Sequence, residues 1–198
     1  MEEGVISVHD VLHDMEIYIG ENEENCVLRA HQSLQHFPYI PHIPGSENCR
    51  QRSVLGNDIK ALPAKELRCP YLVSLYLGEN EGLQEIPEAF LLNLTSLRVL
   101  DFHGTAVRSL PTSLWQLTHL EFLFLGFIEI ESIPDEIANL SRLQFLYLNF
   151  CKNLKSLSSR IGELQNLKYL NLHGCNSIEI PDAIRNLPNC EIVLKNNE

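Results

Sequence analysis

The chain has 198 residues, 44% of them hydrophobic, which is enough to bury one sizeable core. Its formal net charge is −11, and residues 1–28 contain eight acidic residues and no Lys or Arg. The rest is close to neutral, so no basic patch favours nucleic acid as a partner. The sequence contains no apolar run long enough for a membrane span and opens with acidic residues, unlike a signal peptide, so we expect a cytoplasmic protein.

The stretch VHDVLHDM, residues 8–15, places His9 and His13 on one face of an amphipathic helix predicted over residues 7–19. This spacing is typical of the zinc-protease motif H-E-x-x-H. That site needs a third protein ligand and a base that reaches the metal-bound water, whereas Asp10 is one methylene short and no ligand-bearing helix follows. We therefore predict no enzyme activity and no metal, with a zinc metalloenzyme as a weak alternative.

An L-x-x-L-x-L pattern recurs at intervals of 23 to 25 residues through most of the chain. Alternating leucines predict short strands, and the apolar-x-x-apolar-Pro segment after each strand predicts an irregular or 3₁₀ return. This pattern predicts an α/β leucine-rich repeat solenoid, with a parallel sheet on its concave face and short helices on its convex face. Position one of the repeat falls at Cys49, Leu72, Leu97, Leu120, Leu143, Leu167 and Cys190.

Position nine of the repeat lies where the chain turns inward, so its side chain must bond turn backbone groups or pack. Asn and Thr suit the first role and Cys the second, as a small side chain with a weak S–H donor. We therefore predict reduced and mostly buried cysteines rather than disulfides or a zinc site. The residues at position nine are Asn57, Asn80, Thr105, Ile128, Cys151 and Cys175.

The repeats, assigned to residues 49–198 in six to seven units, follow two other segments. Residues 1–21 contain the predicted helix, and residues 22–48 form a connector with prolines at every third residue from Pro38 to Pro44. Within that connector, CVLRA at 26–30 favours a short strand. At the far end Lys195 occupies position six, although a slip by one residue would bury Ile192 and Leu194 instead.

Positions three, five and seven alternate with the leucines and point out of the concave sheet. Five aromatic residues adjoin there, and an exposed patch of this kind favours a protein partner. The aromatics could instead only cover each other or meet another domain. If they bind a partner, replacing Phe124 and Tyr147 by alanine should weaken binding with little change in melting temperature. The predicted binding residues are Tyr76, Asp101, His103, Phe122, Phe124, Phe145, Tyr147, Tyr169, Asn171 and His173.

The order of VHDVLHDM, then RQRSVLGNDIKALP, then a repeat beginning CPYLVSLYL resembles plant intracellular immune receptors, the disease-resistance proteins. In that family a histidine of an M-H-D motif lies by bound ADP, and the resemblance assigns this role to His9 and a supporting role to Asp10. Val8 departs from the family's methionine. The resemblance implies a module for ligand recognition and autoinhibition whose partner is a pathogen effector, a host protein or the receptor's own nucleotide-binding domain.

The chain lacks a phosphate-binding loop of the type G-x-x-x-x-G-K-[ST]. We therefore expect no cofactor in this chain, with ADP or ATP implied only for a full-length receptor. The alternative function is a freestanding cytosolic scaffold of the Ras-associated leucine-rich type, which has the same 23-residue period. Only the VHDVLHDM segment and the C-P-x-L repeat discriminate between the two.

Overall fold

The computed structural model describes residues 26–28, 30–38 and 48–194. His9, Asp10, His13 and the helix predicted over 7–19 lie outside the described residues. The described strands are β1 Cys26–Leu28, β2 Gln51–Ser53, β3 Ser74–Tyr76, β4 Val99–Asp101, β5 Phe122–Phe124, β6 Ser132–Ile133, β7 Phe145–Tyr147, β8 Ser156–Leu157, β9 Tyr169–Asn171 and β10 Glu191–Val193. Eight of them, each of three residues, form one sheet in the order β1-β2-β3-β4-β5-β7-β9-β10, and the two shorter strands, β6 and β8, pair separately.

Every pairing in the sheet is parallel, which confirms the predicted solenoid. In strands β3, β4, β5, β7 and β9 the middle residue is a leucine that pairs in register with the leucine of the next strand in the sheet. All five of these leucines are fully buried, because a strand turns alternate residues to opposite faces and this face meets the convex segments. The column consists of Leu75, Leu100, Leu123, Leu146 and Leu170.

Four short 3₁₀ helices that lie wholly within the described residues close the convex side, as the apolar-x-x-apolar-Pro pattern predicted. Three of the four begin directly after a proline, and the remaining one begins after Ser158, whose hydroxyl accepts a hydrogen bond from the Arg160 N–H. Each helix buries one aliphatic residue in the shared core. The helices are η1 Thr112–Gln116, η2 Asp135–Asn139, η3 Ser159–Glu163 and η4 Asp182–Asn186, and the buried residues are Leu114, Ile137, Ile161 and Ile184.

At the amino-terminal end the sheet extends one strand before residue 49. Strand β1 comes from the segment 22–48 and pairs in parallel with β2, which confirms the short strand predicted at CVLRA. Phe37, from the same segment, is 6% exposed and packs edge-on against Phe90 at 5.3 Å between ring centroids. Arg52 takes the place of leucine in β2 and is also buried, with its guanidinium carbon 5.7 Å from the Phe37 ring centroid.

At the other end, the predicted placement of Cys190 at position one is wrong by one residue. Glu191 pairs with Tyr169 and Ile192 with Leu170, so Ile192 is the residue that faces the core. This one-residue shift in register confirms the alternative prediction that Ile192 is buried, whereas Leu194 is 39% exposed. The repeat before β10 is therefore one residue shorter than the spacing of leucines and cysteines suggested.

Asn and Thr side chains at position nine form hydrogen bonds with backbone groups of the turns. The Asn80 side chain is fully buried and accepts from the Ile59 N–H at 3.0 Å while donating to the Leu77 carbonyl at 2.8 Å and the Val54 carbonyl at 3.0 Å. Thr105 donates only to its own turn, at 2.7 Å to the Phe102 carbonyl. The predicted roles of Asn and Thr are thus confirmed, and Asn also bonds across repeats.

The cysteines at position nine are buried thiols, as predicted. Cys151 Sγ donates to the Leu125 carbonyl at 3.0 Å and Cys175 Sγ to the Leu148 carbonyl at 2.9 Å, each in the preceding repeat. A hydrogen bond with Cys175 and burial both raise the pKa of the Cys151 thiol, so it keeps its proton. Cys49 and Cys69 are also buried, while Cys190 is only partly buried.

Substitutions at Asn80 and Thr105 measure how much the hydrogen bonds between repeats contribute to the unfolding free energy. Asn80→Ala leaves the buried Ile59 N–H and several carbonyls without this partner, and we expect a loss of about 3 kcal/mol in unfolding free energy. Thr105→Val removes a single bond and should cost about 1 kcal/mol. Urea denaturation measures both. Equal losses would mean that the inter-repeat bonds of Asn80 contribute nothing.

Candidate protein-binding face

Three rows of side chains run across the strands on the face opposite the leucine column, here called the concave face. The first and last residue of each strand supply the first two rows, and the residue two positions beyond the strand supplies the third. The first row is Gln51, Ser74, Val99, Phe122, Phe145, Tyr169 and Glu191; the second is Ser53, Tyr76, Asp101, Phe124, Tyr147, Asn171 and Val193; the third is Leu55, Gly78, His103, Gly126, Asn149 and His173.

The aromatic residues of the first two rows are stacked across neighbouring strands. Phe122 and Phe145 are parallel within 2°, with ring centroids 4.7 Å apart, and Phe124 stacks on Tyr147 at 4.8 Å. Tyr169 extends both rows, with its centroid 6.5 Å from Phe145 and 5.2 Å from Tyr147. The predicted adjacency is confirmed, because parallel strands about 4.8 Å apart bring equivalent side chains to stacking distance.

The prediction that all these residues are exposed is wrong. Phe124 is fully buried and Tyr147 is 6% exposed, and together with Val99 and Tyr76 they form a hydrophobic cluster separate from the leucine core. Of the ten residues predicted to bind a partner, six are buried: Tyr76, Asp101, His103, Phe124, Tyr147 and Asn171. The other four are partly exposed: Phe122, Phe145, Tyr169 and His173.

Two glycines in the third row contribute to this burial. A Cβ at Gly78 would lie 2.5 Å from His103 Nδ1 and 2.7 Å from Asp101 Oδ2, so these groups occupy the space that a side chain there would need. In the same way a Cβ at Gly126 would lie 2.7 Å from Asn149 Oδ1. Polar side chains from one strand therefore lie over the glycine of the preceding strand and help to cover the second row.

His103 lies at the centre of the polar part of this face. Asp101 Oδ1 lies 2.8 Å from His103 Nδ1 and accepts a hydrogen bond from the His103 N–H at 2.9 Å, and Glu79 Oε1 lies 3.4 Å from Nε2. Burial disfavours the charged imidazolium, but the two carboxylates outweigh it and raise the pKa of His103 above its usual 6.5. The remaining Asp101 oxygen, Oδ2, is buried and has no hydrogen-bond partner in the structure.

A second aromatic pair at the rim of the face was missed in the sequence. Phe127 and Phe150 follow directly after the third row, at position eight, and stack at 4.7 Å between centroids. Phe127 is 53% exposed, and the Phe150 ring meets His173 edge-on at 5.0 Å. The sequence held a signal for this pair, because position eight is glycine in the repeats at Gly56, Gly104 and Gly174.

Residues 26–28, 30–38 and 48–194 contain no group of three or more His, Cys, Asp or Glu side chains arranged to hold a metal ion. They also contain no helix of the length and apolarity that a bilayer crossing requires. The described arrangement offers stacked aromatics and hydrogen-bonding groups, which suit the recognition of another molecule.

A parallel sheet built from 22- to 25-residue units, with leucines on one face and variable residues on the other, points to one family. The sequence profile described as leucine-rich repeat region matches residues 48–189. The chain belongs to this leucine-rich repeat family. Its fold resembles the solved leucine-rich repeat domain of the type III effector XopL, with a TM-score of 0.62 at 19% identity, covering 98% of this chain and 86% of that one.

The repeats are also similar to those of plant disease-resistance proteins. The chain is 32% identical over 144 residues to disease resistance protein RPS5 of Arabidopsis thaliana, and 29% over 125 residues to disease resistance protein SUMM2 of the same plant. Each match covers 61% of this chain but only 16% and 14% of the two relatives. The resemblance to disease-resistance proteins is thus confirmed for the leucine-rich repeat region.

Phe122 and Phe124 provide a matched pair for testing the burial of the two rows. Both lie on the concave face of β5 and both stack on an aromatic neighbour, but only Phe124 is fully buried. We expect Phe124→Ala to cost about 3 to 4 kcal/mol of unfolding free energy and Phe122→Ala about half of that. Urea denaturation measures the difference. A negligible loss for Phe124→Ala would restore the expectation that this residue is free for a partner.

His103 should make stability depend on pH. Its folded pKa is raised above 6.5, so its pairing with Asp101 and Glu79 stabilises the protein fully below that value and fades as pH rises through the folded pKa. The melting temperature of the wild type relative to His103→Gln should therefore be higher at about pH 6 than at about pH 8.5. Calorimetry at both values tests this, and a difference that grows with pH would contradict it.

Proposed function

We propose that this chain is the non-enzymatic protein-recognition module of an intracellular plant disease-resistance receptor. The similarity of its repeats to those of two disease-resistance proteins supports this, together with a concave face that carries stacked aromatics. The chain spans about a sixth of the length of these relatives, so the receptor's other activities would reside in further domains. On this proposal the protein acts in the cytoplasm.

The single observation that carries the proposal is the graded exposure of the first row. Val99 is buried, while Phe122, Phe145 and Tyr169 on the following strands are partly exposed, with His173 beside them in the third row. Aromatic side chains in such positions anchor protein interfaces, because they offer a large contact area at a low cost in conformational entropy. The buried second row would hold these residues in place and would not itself meet the partner.

Three kinds of protein partner fit this surface: a pathogen effector, a host protein, and the nucleotide-binding domain of the same receptor. Binding the last of these would make the repeats autoinhibitory, since a partner that engages the same face would then compete with it. We propose no nucleic-acid partner and no cofactor within this chain, and ADP or ATP would bind only in the full-length receptor. The roles suggested for His9 and Asp10 belong to that receptor context.

Site-specific crosslinking tests the proposed face. A photoreactive benzoylphenylalanine at Phe145 or at Tyr169 probes the accessible first row, and the same residue at Gln116 in η1 probes the exposed convex side as a control. In plant leaf cells we expect one protein to be captured from the two concave positions and not from the convex one. Its purified form should bind about tenfold more weakly to Phe145→Ala, a loss of about 1.4 kcal/mol.

Two outcomes of this experiment would refute the proposal that the partner binds at the concave face. One is equal capture from Gln116, and the other is an affinity that Phe145→Ala leaves unchanged. The melting temperature of Phe145→Ala serves as the folding control, because the ring is only partly buried and stacks on Phe122 and Tyr169. A variant that melts close to the wild type and binds normally counts against the proposal.

The alternative, a freestanding scaffold of the Ras-associated type, differs in what precedes the repeats. The gene of a receptor would encode a phosphate-binding loop upstream of Met1, in frame with VHDVLHDM, and the gene of a scaffold would not. Reading the transcript upstream of Met1 separates the two. The similarity of the repeats to those of disease-resistance proteins favours the receptor.

A further inference from the structure

A surface groove of about 580 Å³ lies at the amino-terminal ends of β2, β3 and β4, beside the first row of the concave face. Arg50, Val73 and Arg98 line it, and each directly precedes the first-row residue of its strand. The Val73 N–H donates to the Arg50 carbonyl at 2.7 Å and the Arg98 N–H to the Val73 carbonyl at 2.8 Å, so the parallel pairing extends to these residues. Further lining residues are Tyr71, Ser96 and His119.

The titratable side chains that line the groove are basic, apart from the Tyr71 phenol. Arg50, Arg98 and His119 are all exposed, and no Asp or Glu is among the lining residues, which all belong to the described part of the chain. This is a local departure from a chain whose net charge is −11. No run of basic residues marks the groove in the sequence, because its three basic residues come from three different repeats.

Val73 leaves space between the two arginines. Two strand spacings of about 4.8 Å each separate Arg50 from Arg98, and the residue between them is a short, half-buried valine. Each arginine has a long side chain whose guanidinium can reach a group placed above Val73. The groove can therefore surround one compact anion with hydrogen-bond donors from two sides.

The carboxylate beside the groove holds Arg98 only weakly. Glu121 Oε1 lies 3.6 Å from Arg98 Nη1, beyond hydrogen-bond distance, and the Arg98 side chain is 56% exposed. Glu121 follows on β5, on the side of Arg98 away from Val73, so it does not occupy the groove. Exposed ion pairs of this kind contribute little to stability, so Arg98 can turn to an anion above Val73 at little cost.

A phosphate monoester matches these donors better than a carboxylate does. It carries a charge of about −1.5 to −2 at pH 7 and three acceptor oxygens, so one group can receive hydrogen bonds from both guanidiniums. A carboxylate has a single charge and two oxygens, which one guanidinium already satisfies. Tyr71 is 60% exposed beside these donors and offers a ring on which an aromatic carrier can stack. Phosphotyrosine is therefore the best-matched carrier.

The positive charge is too short for a nucleic-acid backbone. The residues equivalent to Arg98 on the next two strands of the sheet are Glu121 and Gln144, so the basic row ends at this groove. Nucleic acid is held by cations that follow several successive phosphates. The charge pattern therefore fits a single phosphate group on another kind of molecule.

We propose that this groove binds a phosphorylated side chain, with the phosphate held between the guanidiniums of Arg50 and Arg98. The inference rests on the proposed function only for the carrier of the phosphate, which would be the protein partner at the concave face. The groove borders the first row at Ser74 and Val99, and Phe122 is the next member of that row. A partner that contacts Phe122 thus lies within reach of the groove, and its phosphorylation would strengthen binding.

Titration of the whole chain with N-acetyl-phosphotyrosine amide tests the site by two-dimensional amide NMR. We expect saturable shifts at Val73, Ser96 and Arg98, with a dissociation constant on the order of 1 mM, as suits two charge-assisted contacts at an exposed site. N-acetyl-tyrosine amide lacks the phosphate and should produce no saturable shift. N-acetyl-glutamate amide, with a single carboxylate charge, should bind about threefold more weakly or worse.

Arg98→Gln and Arg142→Gln form a matched pair of variants. Both arginines are exposed near the same ends of their strands, but only Arg98 lines the groove. Arg98→Gln should weaken the phosphotyrosine probe by about tenfold, whereas Arg142→Gln removes the same charge and should change the affinity by less than about twofold. Arg98→Lys keeps the charge but loses the planar fork, and should weaken the probe by about threefold. Melting temperatures close to the wild type serve as the folding control.

Four results would overturn the assignment. They are the absence of saturable shifts at Val73 and Ser96, equal binding of the tyrosine and phosphotyrosine probes, equal weakening by Arg98→Gln and Arg142→Gln, and tighter binding of hexauridylate RNA than of the phosphotyrosine probe at the same residues. The last result would assign the groove to nucleic acid. None of them bears on crosslinking from Phe145 and Tyr169, so failure of the phosphate site remains distinguishable from failure of the proposed function.

Discussion

The structure depends on one constraint, which is that a three-residue strand buries only one leucine and cannot be stable alone. Leu100 becomes fully buried because Leu75 and Leu123 flank it and a convex segment covers it. Each repeat therefore packs against the repeat on either side, and the interfaces between neighbours supply much of the free energy of folding along the array. Asn80 and the thiols of Cys151 and Cys175 reinforce this coupling by bonding backbone carbonyls of the preceding repeat.

The same spacing governs the opposite face of the sheet. Strands that bring leucines together on one side also stack Phe124 on Tyr147 on the other, and this stack is almost as well buried as the core. The aromatic residues of the concave face therefore divide into two groups. The second row is buried and stabilises the sheet, whereas members of the first row such as Phe145 and Tyr169 stay partly exposed. On the proposed function, these partly exposed residues would meet the partner.

Position eight, in the turn at the rim of the sheet, is occupied by different residue types in different repeats. The turn after each strand requires a left-handed residue, and Gly104 and Gly174 meet this need without strain. Phe127 and Phe150 adopt the same backbone at a cost, and Phe127 keeps half of its surface exposed. The leucine-rich repeat accounts for the turn, whereas the turn itself does not require these two rings.

The sequence by itself determined the repeat, the parallel strands and the roles at position nine, because these depend on side-chain type at a fixed interval. It also placed Phe122 beside Phe145 and Phe124 beside Tyr147, since register follows from the spacing of the leucines. Only the tertiary structure decided that Phe124 is buried, that Ile192 replaces Val193 in the core, and that Asp101 and His103 occupy the space above Gly78. These features depend on how side chains of different repeats fill space together, and a pattern read one repeat at a time contains no information about that packing.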